Sequence, residues 1–228
     1  MRYVLITLAA LLAISCGNVS SNKSAKTDFE AWEKHVNDSI IRAEAIKDSL
    51  KRVEHSRKMA EMKVENEKTI ARCKPLFKET KDEFSTKTWV EPKSAPRYRN
   101  RNGVYCYFGT EDGEPSTNFR FVFQYYADDW LFIENMIFNI DGDLITIIPK
   151  METDCGDGGK IWEWCDENVN FNSSGINEKF IKKIANAKSV KVKMNGRKYY
   201  DTRTLKAEQI KSIKDTYEYY LALGGRFL

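Results

Sequence analysis

Apolar residues fall along this chain in four successive patterns: an unbroken run, a seven-residue stripe, strict alternation, and helical spacing again. The unbroken run is Tyr3 to Ile14, preceded by Arg2. At about a dozen residues it is too short to cross a bilayer, which takes roughly 20. From Gly17 to Lys26 the chain turns polar and rich in Ser, Asn and Lys, the composition of a flexible tether. Thr27-Asp28-Phe29-Glu30 then has the form of a capping box, with Thr at the N-cap and Glu three residues on, and predicts the start of a long helix.

Counting in sevens from Phe29 places Phe29, Val36, Ala43 and Leu50 at a and Trp32, Ile46 and Val53 at d, with Ser39 the polar interruption. Helical composition persists to Lys74, before Pro75. A helix over 27–74 would extend roughly 70 Å at 1.5 Å per residue. That is stalk length, and a coiled coil is one use of the stripe. Parallel pairing, however, sets Arg42 against Lys47 and Lys63 against Lys68, each clash costing a few tenths of a kcal/mol. A homodimer is therefore admitted but not favoured over a helix that packs back or meets another protein. Phe29, Trp32, Val36 and Ile40 are the surface through which such a partner would dock.

Three of the five prolines and the basic run Arg97-Tyr98-Arg99-Asn100-Arg101 predict a connector over 75–103. Alternation follows. Val104 to Phe108 reads as a strand, Asn118 to Tyr126 places Phe119, Phe121, Phe123 and Tyr125 on one face, and Trp130 to Asn139 is a third. Asp141-Gly142 is a hairpin signal before Leu144 to Ile148, and Ile161 to Cys165 is a fifth strand. Helical spacing returns from Asn177 to Ala187. A half-exposed strand, Val190 to Met194, leads to Asn195-Gly196 as a hairpin turn into Arg197 to Tyr200. Thr204 caps a last helix that Gly224-Gly225 stops. The expected fold class is α+β: a long N-terminal helix, then over 104–228 an antiparallel β-meander with two helices of the C-terminal half packed on one face.

Aromatic residues make up 12% of the chain and lie mostly after residue 84, which agrees with a β-rich core. A formal charge of +4 with 31% charged residues is a near-neutral balance, and it gives no support to a nucleic-acid partner.

The junction Leu12-Ala13-Ile14-Ser15-Cys16, after Arg2 and the apolar run, resembles the signal peptide of bacterial lipoproteins. The resemblance covers residues 1–16, and no characterised family is recognised in the rest. It implies a signal peptide at 1–15, cleavage before Cys16, acylation such as palmitate on the Cys16 thiol and new amino group, and a tether over 16–26. The protein would then be exported and held by lipid at the cell membrane or outer membrane. Each buried methylene contributes about 0.8 kcal/mol, so several acyl chains on one cysteine anchor stably.

With Cys16 acylated, Cys73, Cys106, Cys155 and Cys165 remain. Export permits disulfides, and three connectivities exist. Cys155 with Cys165 is favoured, because Cys155-Gly156-Asp157-Gly158-Gly159 is a turn-rich loop able to fold back on the strand holding Cys165. Cys106, on one strand face with Val104 and Phe108, reads equally as a buried free thiol.

Chemistry is sparse. The only histidines, His35 and His55, sit on the long helix about 30 Å apart, which disfavours histidine-dependent triads and multi-histidine metal sites. Carboxylates remain: Asp128, Asp129, Glu163 and Asp166 lie near Trp130, Trp162 and Trp164, the residue types of glycoside hydrolysis. Turn and core roles explain the same residues, with Trp162 and Trp164 on one core face. Asn139-x-Asp141-Gly142-Asp143 offers hard oxygens but lacks the EF-hand's glycine position and its bidentate Glu, so neither metal nor cofactor is expected. Lys191 and Lys193 share a strand face with Tyr199 and Tyr200 nearby, a surface for anionic headgroups or an acidic partner. The expected function is a non-catalytic binding or interaction module at a membrane, its partner an envelope protein or small ligand. The alternative is a carboxylate-dependent, carbohydrate-active hydrolase.

Overall fold

The computed structural model describes residues 22–156, 158–171 and 174–228, with the side chains of 22–27, 116 and 117 undescribed. The expected signal segment, Cys16 and the first part of the expected tether lie outside the described residues. Two units divide the chain, 1–60 and 61–228. In the first, every described residue belongs to one helix, α1 (Asn22–Cys73), which ends in the second. Helix α1 takes in Asn22 to Thr27, ahead of the start at Thr27 that the capping box predicts. No proline or glycine between Asn22 and Thr27 stops the helix from extending. Along the first unit Phe29, Trp32, Ile40, Leu50 and Val53 are exposed and Val36 is half-buried. Lys58 pairs with Glu54 at 2.8 Å, one turn apart, worth about 0.3–0.5 kcal/mol at an exposed site.

The second unit follows α1 with one turn of 3-10 helix at Lys74–Leu76. It then runs β1 (Phe77–Lys81), β2 (Lys87–Pro92), β3 (Gly103–Glu111), β4 (Glu114–Ala127), β5 (Ile133–Ile140), β6 (Asp143–Ile147), β7 (Glu152–Cys155), β8 (Ile161–Asn168), α2 (Glu178–Ala185), β9 (Val190–Gly196), β10 (Tyr200–Thr204) and α3 (Ala207–Ala222). The strands form two antiparallel sheets, ordered β1-β2-β3-β4-β8-β7 and β10-β9-β5-β6. The α+β class agrees with the sequence; a single meander does not. Strands β1 to β4 are a meander, but β5 and β6 leave for the second sheet, and β8 returns to pair with β4.

The stretch expected as a connector carries two strands of the larger sheet. Pro92 is tolerated there because β2 pairs with β3 only as far as Val90 against Phe108, so its missing N–H costs no bond on that side. Two Asp-Gly pairs turn, Asp141-Gly142 as expected and Asp112-Gly113 between β3 and β4. Asp112 and Gly113 have φ of 51° and 87°, Asp141 and Gly142 of 50° and 102°, the positive pair a two-residue type I′ hairpin requires. Asn195-Gly196 is not a turn. Both residues lie in β9, and the chain reverses through Arg197–Tyr199 instead. Gly196 is required for a different reason: a Cβ there would meet the Leu131 carbonyl oxygen at 2.0 Å.

Asn177 caps α2 by accepting the Phe180 N–H at 3.1 Å. Thr204 does not cap α3; it ends β10 opposite Lys191, and Lys206 holds the cap position, its N–H donated to the Gln209 side chain at 2.9 Å. At the other end Gly225 N–H bonds to Tyr220 O at 2.9 Å and Gly224 N–H to Leu221 O at 3.0 Å, with Gly224 at φ 98°, a Schellman stop.

Phe119, Phe121, Phe123 and Tyr125 are buried on one face of β4, as the alternation predicts. On that face Tyr220 of α3 stands 5.3 Å from Phe108 and 5.1 Å from Phe119, ring to ring. Phe180 of α2 touches Phe121 of one sheet at 5.5 Å and Phe138 of the other at 5.0 Å. One apolar core thus joins both sheets and both helices. Arg72 fastens the last turn of α1 to α3 by donating to Asp215 at 2.5 Å and Glu218 at 2.6 Å.

Candidate functional site

The four carboxylates considered for hydrolysis have separate structural partners. Glu163 is fully buried on β8 and accepts three backbone N–H bonds, from Leu131 at 2.8 Å and from Phe132 and Ile133 at 2.7 Å each. It clamps the entry to β5, where Phe132 has φ 53°, a conformation rare for a bulky residue. Asp166, three residues on, points to the opposite face of the strand. There it accepts from Arg120 Nε at 2.6 Å and from the Tyr107 hydroxyl at 2.9 Å. Asp128 pairs with Lys160 at the surface, and Asp129 accepts the Trp130 N–H at 2.8 Å. Glu163 and Asp166 cannot face one substrate, because their odd spacing puts them on opposite faces of the sheet.

The tryptophans depart from expectation for the same reason. Ile161, Glu163 and Cys165 take the core side of β8, so Trp162 and Trp164 are half-buried on the outer side, where Arg99 lies 4.9 Å over the Trp164 ring. The cue that misled was hydrophobicity: an internal carboxylate with three backbone donors reverses the apparent polarity of the strand.

All four described cysteines are free thiols. Cys155 stands opposite Ile161 across the β7–β8 hairpin, and Cys165 is four residues further along β8, about 13 Å at 3.3 Å per residue. A Cys155–Cys165 disulfide is excluded by that register, since bridged Cα atoms lie within about 7 Å. Cys106 and Cys165 are buried, and burial raises their thiol pKa values well above the usual range, which suppresses thiolate chemistry. Among the described residues no cluster of three or more His, Cys, Asp and Glu could hold a metal. The oxygens of the β5–β6 hairpin are in use: Asn139 accepts from Gly142 N–H, Asp141 from Lys188 and Ser189 N–H, and Asp143 pairs with Lys183.

Two cavities flank the irregular segment between β2 and β3, and sequence reasoning found neither. The first, about 630 Å³, opens at the seam of the two sheets beside the start of α3. Its floor is apolar, from Val104 and Phe123 of the larger sheet and Val192 and Leu205 beside the smaller, and its rim carries Ser94, Asn102, Arg203 and Ser212. Arg203 lies 4.4 Å over the Tyr125 ring and donates to Asn102, which ties β10 to the segment before β3. The second cavity, about 330 Å³, lies on the outer face of the larger sheet, lined by Trp89, Tyr107 and Arg99 among others. Burial raises the pKa values of Tyr105 and Tyr107, so both stay neutral across the physiological range.

Pro96, Tyr105 and Gln124 line both cavities. Gln124 is 3% exposed, and its side-chain oxygen is buried without a hydrogen-bond partner. An orphaned buried acceptor costs about 1–3 kcal/mol, and native chains seldom keep one without use. No sequence signal marks it, because Gln124 occupies the polar phase of β4 and reads as a solvated position.

Compared with protein-family models, with curated proteins and with solved structures, the chain matches none. Among the described residues no helix is long and apolar enough to cross a membrane.

Proposed function

We propose that the protein is a lipid-anchored cell-envelope component whose globular unit is a non-catalytic binding module, with α1 as a spacer or partner-docking helix. The seam cavity carries the binding half of this reading: an apolar floor, hydrogen-bonding rim groups and the unpartnered Gln124 Oε1 are the makings of a small-ligand site. The structural engagement of Asp128, Asp129, Glu163 and Asp166 favours binding over hydrolysis. The anchoring half rests on the resemblance of residues 1–16 to lipoprotein signals.

Each half has its own test. Metabolic labelling with palmitate should mark the wild type and leave Cys16→Ser unlabelled, with the variant released from the membrane fraction. Label that persists in Cys16→Ser removes the anchor. For the cavity, small molecules retained through purification are identified by mass spectrometry for the wild type and for Ser212→Trp, which fills the rim. A compound held by the first and absent from the second supports binding, and identical spectra overturn it.

A further inference from the structure

The outer face of the four-stranded sheet is uncovered, and its paired strand positions carry no acid; Glu134 is exposed at the bulge where β5 begins. The core side is fixed by the buried Met136, Phe138, Val192 and Met194. The registers then place Lys191 and Lys193 of β9 and Tyr200, Thr202 and Thr204 of β10 on the other face. The remaining strand positions there are Asn, Thr, Ile or Leu. At one end of this face the Arg197–Tyr199 turn and the entry to β5 form an aromatic and cationic tip. Tyr199 and Tyr200 are 72% and 65% exposed. Trp130 and Phe132 stack at 5.3 Å and 13°, Arg197 covers Phe132 at 5.0 Å, and Lys193 lies 4.2 Å over Tyr200.

Three observations converge on what this surface meets. Lys191, Lys193, Arg197 and Lys198 form no ion pair among the described residues, while of the acids adjoining the tip in sequence Asp201 pairs with Arg203 and Asp128 with Lys160, and the others are Asp129 and Glu134. The rings that surround these cations are amphipathic or apolar, and Phe132, Tyr199 and Tyr200 stand in solvent beside the half-buried Trp130, the pairing that favours the headgroup layer of a bilayer. Phe132 is also held outward against its own preference: its φ of 53° is sustained by the bonds that Leu131, Phe132 and Ile133 donate to Glu163. Backbone strain that exposes a large apolar ring points to a use for that ring. We infer that the tip and the adjoining sheet face form a docking surface for an anionic bilayer, with the cations on lipid phosphates and the rings at headgroup depth. Docking draws on the anchored placement proposed above, since acylation at Cys16 keeps the chain at a bilayer, and the two are separable by experiment.

The full chain is purified from membranes in its processed form, with Cys155→Ser removing the exposed thiol and Tyr199→Cys carrying an environment-sensitive fluorophore. It is mixed with vesicles of phosphatidylcholine alone, or of phosphatidylcholine and phosphatidylglycerol in a two-to-one mixture, containing spin-labelled quencher lipid. Flotation reports attachment and quenching reports docking. The expected result is flotation with both vesicles but quenching only with phosphatidylglycerol, reduced about tenfold or more in Lys191→Gln/Lys193→Gln/Arg197→Gln/Lys198→Gln and weakened by salt. Tyr200→Ser, which leaves the charges in place, should lower it too. Flotation and quenching with phosphatidylglycerol alone would uphold docking and remove the anchor. Flotation with both and quenching with neither would overturn docking and keep the anchor. Flotation with neither would overturn both, as would quenching that the fourfold variant retains overturn docking.

Discussion

Glu163 shows how one side chain can set the polarity of a whole strand. A fully buried carboxylate is costly unless its charge is met by hydrogen bonds, and here three backbone N–H groups converge on it. Glu163→Gln keeps the shape but offers one oxygen where two are used, leaving at least one buried donor facing an amide NH2 group. The expected cost is about 2–3 kcal/mol, or a urea midpoint lower by about 1 M at the slope usual for a unit of this size. Amide exchange should rise at Leu131–Ile133 before it rises elsewhere. An unchanged midpoint would show that the clamp contributes nothing to folding. Gly196 makes a related point about reading residues: Asn-Gly is the commonest hairpin pair, yet this glycine serves the close passage of the Leu131 carbonyl.

Among elements, those legible in the sequence are the ones whose pattern is set by their own burial. Strand β4 with its alternating phenylalanines, α2 with its Asn177 cap, and the Asp141-Gly142 hairpin all carry local signals that tertiary contacts reinforce. Strands β1 and β2 were hidden by flanking prolines, and the split into two sheets is set by long-range pairing that no local window contains. The cavities were illegible because Gln124 is buried by the fold rather than by its chemistry. Helix α1 is the opposite case, a strong pattern with little burial. Leu50 and Val53 are more than 60% exposed, and a helix without tertiary packing is only marginally stable in water. Amides of residues 30–56 are accordingly expected to exchange with opening free energies under about 1 kcal/mol, while those of β3 and β4 exchange only on global unfolding. Protection of 30–56 that is lost in Val36→Asp/Leu50→Asp would reveal a partner along the stripe.

For the molecule as a whole, the central question is why a well-packed unit keeps an unsatisfied polar group at the meeting of its two sheets. Folding alone does not require it. Leucine has nearly the volume of glutamine, and Tyr105 and Trp164, which share its face of the larger sheet, would accept an apolar side chain. If Gln124 is kept for a ligand, its removal should stabilise the free protein, because binding sites commonly carry a stability cost. Gln124→Leu is expected to raise stability by about 1–2 kcal/mol, a rise in Tm of about 2–6 °C for a unit of this size. The same variant should lose any compound the wild type retains through purification. Both halves matter, since a stabilised variant that still holds the compound would move the site elsewhere, and a destabilised one would make Gln124 part of the scaffold. Scanning calorimetry of the two proteins, with and without the retained compound, distinguishes these cases: the ligand should lift the wild-type Tm and leave that of Gln124→Leu where it was.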